Sequence, residues 1–151
     1  MIPLMELEDK NTFKILLVED NLADIRLTEQ AFTESKIKTI LYNVKDGVEA
    51  INFLRKSGKY TKVCRPDLIL LDLNLPKKNG LEVLKDIKQD EDLKRIPVVV
   101  LTISANEEDL IKAYDLHANA FVNKPLEIRE FYHLVKSIEE FWFKVVKLAN
   151  R

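Results

Sequence analysis

The 151-residue chain is 46% hydrophobic and 32% charged, a length and composition suited to one core under a solvated surface. Its 24 basic and 25 acidic side chains nearly cancel, and a net charge of -1 leaves neither an electrostatic footprint for nucleic acid nor a basic membrane anchor. The single cysteine, Cys64, excludes an internal disulfide and points to a reducing cytoplasm. The start, MIPLMELEDKNTFK, lacks the pattern of a secretory signal, and no apolar run approaches the ~18 residues of a membrane span.

Residues 1–12 are mixed and acidic, and are expected to form a short mobile arm. Phe13 to Val18 (FKILLV) reads as a buried strand closed by the polar Glu19-Asp20-Asn21. A helix is predicted over residues 22–35, with Leu22, Ile25 and Phe32 at helical spacings. A second strand spans Thr39 to Val44, and Asp46-Gly47 then breaks the chain before a helix marked by Val48, Ile51 and Leu54. Ser57 to Pro66 is the longest expected loop. Leu68 to Leu71 (LILL) is the most apolar strand and ends at Asp72. Pro76 and Gly80 punctuate the loop beyond it, and Leu81, Leu84 and Ile87 stripe a third helix. Pro97 to Leu101 reads as a fourth strand ending at Thr102. Ser104 with Glu107 has the spacing of a capping box for a fourth helix. Ala120 to Val122 is a short fifth strand, and Pro125 lies near the first turn of a final helix.

Five strand–helix units in strict alternation predict an α/β fold, a parallel sheet with helices on both faces. Strands that are apolar throughout agree with burial on both sides. In such sheets ligands bind at the carboxyl ends of the strands. The side chains expected there are Glu19 and Asp20, Asp72, Thr102 and Lys124. Each alone has an ordinary explanation. Asp20 or Asn21 can cap a helix, Asp72 can end a strand in a turn, Thr102 suits a strand, and Lys124-Pro125 can be a plain turn. Together they describe a chemistry. Three crowded carboxylates repel one another unless a cation intervenes. Mg²⁺ takes one or two carboxylates together with waters and phosphate oxygens. Lys124 and Thr102 can then stabilise a phosphoryl group, and an Asp carboxylate can act as nucleophile.

Over about residues 13–140 the sequence resembles the receiver domain of two-component response regulators. The resemblance is carried by LLVEDN (Leu16 to Asn21), LILLDLNLP (Leu68 to Pro76) with Gly80, VVVLT (Val98 to Thr102) and FVNKP (Phe121 to Pro125). It implies a doubly wound, flavodoxin-like (βα)5 fold with strand order 2-1-3-4-5. It implies that Asp72 accepts a phosphoryl group from a phosphohistidine on a sensor histidine kinase. Asp20, Asp72 and the backbone carbonyl of Asn74 would bind Mg²⁺, with Glu19 reaching the ion through water. Lys124 would pair with the phosphoryl group, and Thr102 and Phe121 would switch on its arrival. The face made by helix four, strand five and helix five would carry the signal. Ile103 departs from the small residue usual beside the switch threonine, and with Asn74 and Ser104 it is expected to tune phosphorylation rate and lifetime. KYTKVCRPDLILLDLNLPKKNG and SIEEFW (Ser137 to Trp142) are similar to small regulators paired with phytochrome-type kinases.

Pro125 to Arg151 is expected to hold no output domain, residues 141–151 being an extension of the last helix. A helix from Leu126 to Ala149 would be roughly 35 Å long. Its apolar positions cover roughly 160° of arc, where a sheet-facing helix needs nearer 100°. The excess, centred on Phe141, Trp142 and Phe143, either folds back over the chain's own core or forms a homodimer or partner contact. His117, His133 and Cys64 have no ligand-spaced partners and read as bystanders. Two other functions compete. A haloacid-dehalogenase-type phosphatase would need an acid where Asn74 stands, and an interaction module that takes no phosphate is favoured only by Ile103. With three glycines and no G-x-G-x-x-G or P-loop cradle, a dinucleotide enzyme is excluded.

Overall fold

The computed structural model describes residues 11–103 and 106–149. The expected arm over residues 1–12 lies outside these except at its end, where Thr12 is already buried. The strands are β1 (Phe13–Val18), β2 (Thr39–Val44), β3 (Leu68–Leu71), β4 (Val98–Thr102) and β5 (Ala120–Asn123). The helices are α1 (Leu22–Thr33), α2 (Gly47–Leu54), α3 (Gly80–Gln89), α4 (Glu107–Asp115) and α5 (Ile128–Glu139). The sheet is parallel throughout, in the order β2-β1-β3-β4-β5.

Burial follows that order. β1 beyond Phe13, and all of β3 and β4, are buried, whereas the edge strands β2 and β5 are mostly half-exposed. Successive strand residues point to opposite faces, so two cores form. Leu16, Val18, Ile69, Leu71, Val98 and Val100 pack with α2, α3 and α4. Ile15, Leu17, Leu68, Leu70, Val99 and Leu101 pack with α1 and α5. Each fully buried aliphatic side chain contributes ~1.5–3 kcal/mol, and the register leaves the carboxyl ends level. Val18 lies beside Leu71, Leu71 beside Val100, and Thr102 beside Asn123.

Short polar side chains start four of the helices by accepting a backbone N–H two or three positions into the first turn. Asn21, Asp46 and Asn79 cap α1, α2 and α3, and Glu82 closes a capping box on α3. The cap of α4 is Asn106, which accepts from the N–H of Asp109 at 2.7 Å. The expected box from Ser104 to Glu107 is therefore displaced, because Glu107 is already the first helical residue; Ser104 itself lies outside the described residues. Leu22 and Val48, expected on apolar stripes, are largely exposed. At those helix starts the core-facing positions belong to Ile25 and Thr28 in α1, and to Gly47, Ala50 and Ile51 in α2.

The last helix is shorter than expected. Regular α-helix runs only over Ile128–Glu139, preceded by Glu127 in an extended conformation. A wider π-helical turn then spans Glu140–Val145, closed by the Val146 N–H donating to the Phe141 carbonyl at 2.8 Å, and Val146 is extended. The cause is packing. Phe143 is turned into the core, where its ring stacks on Phe13 at 4.3 Å between centroids, and Leu148 returns to the same cluster. Phe143 therefore serves the chain's own core and is not part of an exposed interface patch. Phe141 and Val145 remain in solvent.

Candidate functional site

Four inner and edge strands deliver the expected groups to one rim. β1 ends in Glu19 and Asp20, β3 in Asp72, β4 in Thr102, and β5 is followed at once by Lys124. One carboxylate oxygen each from Glu19, Asp20 and Asp72 lies within 4.8 Å of the others. Glu19 and Asp72 are buried and Asp20 is exposed, so the cluster has a closed floor and an open side. A hard, oxygen-only donor set of this kind fits a divalent cation that keeps waters.

Lys124 reaches into this cluster. Its Nζ donates to Glu19 Oε2 at 2.5 Å, to Asp24 Oδ2 at 2.9 Å and to Asp72 Oδ2 at 3.3 Å. The backbone also takes part. The Asn21 N–H donates to Glu19 Oε1 at 3.1 Å, and the Asn74 N–H donates to Asp72 Oδ1 at 3.1 Å. The loop after Asp72 is held close by the Gly80 N–H donating to the Leu73 carbonyl at 2.9 Å.

The charges do not balance. Glu19, Asp20, Asp24 and Asp72 face one ammonium. Burial pushes the Glu19 carboxyl up, to about 7, against the lowering effect of Lys124 and of the Asn21 N–H. Burial also opposes the Lys124 ammonium, yet its hydrogen bonds to Glu19 and Asp24 and the charge of Asp72 outweigh that and hold its pKa above the usual lysine value. A cation among Glu19, Asp20 and Asp72 would relieve this excess of negative charge.

Thr102 is fully buried at the end of β4, and its carbonyl accepts from the Lys124 N–H at 2.8 Å. Ile103, the next residue, is 61% exposed. Phe121 is half-buried against the α2–α4 core, and its N–H donates to the Tyr114 hydroxyl of α4 at 3.2 Å. Asn74 is exposed beside Asp72. Asp24 was not among the expected site residues. It lies in the first turn of α1, four residues after Asp20, at a spacing that also suits an ordinary acidic first turn.

A parallel sheet with this crossover order, and an acid cluster plus lysine at its carboxyl edge, is the architecture of a receiver. The response regulator receiver domain family matches residues 15–136, and the chain belongs to that family. It is 51% identical over 134 residues to the response regulator Rcp1 of Synechocystis sp., covering 89% of this chain and 91% of that protein. It is 41% identical over 136 residues to the probable methanogenesis regulatory protein FilR2 of Methanothrix harundinacea, covering 90% and 87%. The structure of the phosphorylated cyanobacterial phytochrome response regulator RcpA matches with a TM-score of 0.89 at 51% identity, over 91% of this chain and 99% of that one. The Mn²⁺-bound form of Rcp1 matches with a TM-score of 0.86 at 50% identity, over 90% and 98%.

Proposed function

We propose that this receiver accepts a phosphoryl group on Asp72 from the phosphohistidine of a sensor histidine kinase. The observation that carries the reading is the approach of Lys124 Nζ to within 3.3 Å of Asp72 Oδ2, inside a buried acid cluster. Mg²⁺ would be held by Glu19, Asp20, Asp72 and the Asn74 carbonyl. Once bound, it supplies positive charge that lets an anionic donor approach anionic carboxylates.

The chain's own residues do the rest. A carboxylate oxygen of Asp72 attacks phosphorus, a P–O bond forms, and the P–N bond to the donor histidine breaks. The leaving imidazole takes a proton as it departs. The Lys124 ammonium turns a hydrogen bond toward the phosphoryl oxygens, and the Thr102 hydroxyl offers another. Thr102 and Phe121 then carry the change to the face of α4, β5 and α5, with Ile103, Asn74 and Ser104 tuning rate and lifetime. The transfer is to the protein itself, not to an external substrate.

Similarity to a phytochrome response regulator supports a phytochrome-type kinase as partner, and the lone Cys64 favours a reducing cytoplasm. Among the described residues no helix is long and apolar enough to cross a membrane. A homodimer through the exposed edge of the last helix completes the reading.

The test is a small-molecule phosphodonor with Mg²⁺, followed by intact mass. Wild type is expected to gain one acid-stable, base-labile phosphoryl group, and Asp72→Asn none. No gain in wild type overturns the switch, and an unchanged gain in Asp72→Asn overturns the site.

A further inference from the structure

Of the three carboxylates that hold Lys124, two belong to the acid cluster. The third, Asp24, comes from α1 and is fixed from both sides of its own backbone. Its N–H donates to the Asn21 side chain at 3.0 Å, and its carbonyl accepts from Thr28 Oγ1 at 2.7 Å. Its side chain is 29% exposed, where those of Glu19 and Lys124 are each 4% exposed. Asp24 thus stands at the mouth of the site and grips the ammonium from a helix rather than from a strand end.

An ammonium has three N–H donors, and here they reach Glu19, Asp24 and Asp72. A cation bound by the acid cluster would draw on Glu19 and Asp72, and a phosphoryl group on Asp72 would need a donor for its own oxygens. Asp24 is the one partner of Lys124 on which neither event draws. It therefore continues to pull on Lys124.

Resting on the reading of Asp72 as phosphoryl acceptor, we propose that Asp24 is a positioning residue that competes with the phosphoryl group for Lys124 and so sets how tightly the phosphorylated state is held. It would act on the occupied state, not on metal binding.

The experiment compares wild type, Asp24→Asn and Asp24→Glu by calorimetry, first with Mg²⁺ alone and then with beryllofluoride added. Asp24→Asn is expected to bind beryllofluoride roughly fivefold tighter than wild type, the scale of one partly exposed ion pair. Its Mg²⁺ affinity should stay within roughly twofold, since Asp24 is not a proposed ligand. Asp24→Glu should restore wild-type behaviour. An unchanged or weaker beryllofluoride affinity in Asp24→Asn overturns the proposal. So does a parallel loss of Mg²⁺ affinity, which would make Asp24 a metal ligand. A purely structural role in the first turn of α1 would lower the melting temperature and leave the beryllofluoride affinity where it was. Wild type that binds no beryllofluoride overturns the acceptor reading itself, a result distinct from the others.

Discussion

Gly80 carries no functional group, yet the geometry around Asp72 depends on it. A Cβ at this position would come within 2.4 Å of the Asp72 carbonyl oxygen and 2.5 Å of Leu73 Cα. Both are backbone atoms of the segment that carries Asp72 into its loop, so neither can yield as a flexible side chain would. Gly80→Ala is expected to cost about 1–3 kcal/mol by overpacking and to weaken Mg²⁺ binding by displacing the loop. Thermal denaturation and metal titration on the same variant check this, and an unchanged metal affinity would show that the loop tolerates the shift. The acid and basic residues of the site were legible in the sequence for a different reason. Glu19, Asp20, Asp72 and Thr102 stand at the ends of buried apolar strands, Lys124 follows the short edge strand β5, and parallel strands end together. Asp24 was not, because an acid in a first helical turn already has a sufficient local explanation. Lys88 gave no signal either. Its ammonium donates to the carbonyls of Lys94 and Ile96 and to Asn119 Oδ1, all neutral acceptors, and burial lowers its pKa to about 8.

The elements were legible in proportion to how far they are buried. Inner strands have one solution for a continuous apolar run, whereas helix ends are decided by caps and by tertiary packing that periodicity does not encode. The end of α5 shows this most clearly. At the junction of α5 and the π-helical turn, Glu139 is buried and accepts a hydrogen bond from the Ser35 hydroxyl, which in turn accepts from the Ile37 N–H at 3.0 Å. Burial raises the Glu139 pKa above its ordinary value of 4.5; the Ser35 hydrogen bond, Lys136 and Lys144 lower it, and Glu140 raises it. The folded chain therefore holds the Glu139 proton more tightly than the unfolded chain does. This contribution to stability is complete below pH 4.5 and is lost as pH rises through the folded pKa. Glu139→Gln keeps an acceptor for Ser35 and removes the charge. Its melting temperature relative to wild type should rise across that window and level off above it. A difference that stays flat with pH would mean that folding leaves the Glu139 pKa unshifted.

At the scale of the whole molecule, the order β2-β1-β3-β4-β5 puts Asp72 at the end of the central strand and leaves β5 at the edge of the sheet. The apolar excess of the last helix divides between two fates. Phe143 and Leu148 are spent on the chain's own core, and Trp142 is partly buried against it. Phe141 and Val145 stay exposed, with the Phe141 ring edge-on to Trp142 at 5.4 Å. This remaining patch is what a homodimer through the edge would cover, and it is smaller than the full arc of apolar positions suggested. The consequence for a test is specific. Trp142→Ala would disturb core and surface together, so a loss of association could be a loss of folding. Phe141→Asp puts a charge only on the exposed edge, where substitutions shift stability little. Sedimentation over a wide concentration range, with and without beryllofluoride, should show wild type associating and Phe141→Asp remaining monomeric at an unchanged melting temperature. Wild type that stays monomeric under both conditions removes the homodimer, and association that persists in Phe141→Asp moves it to another face.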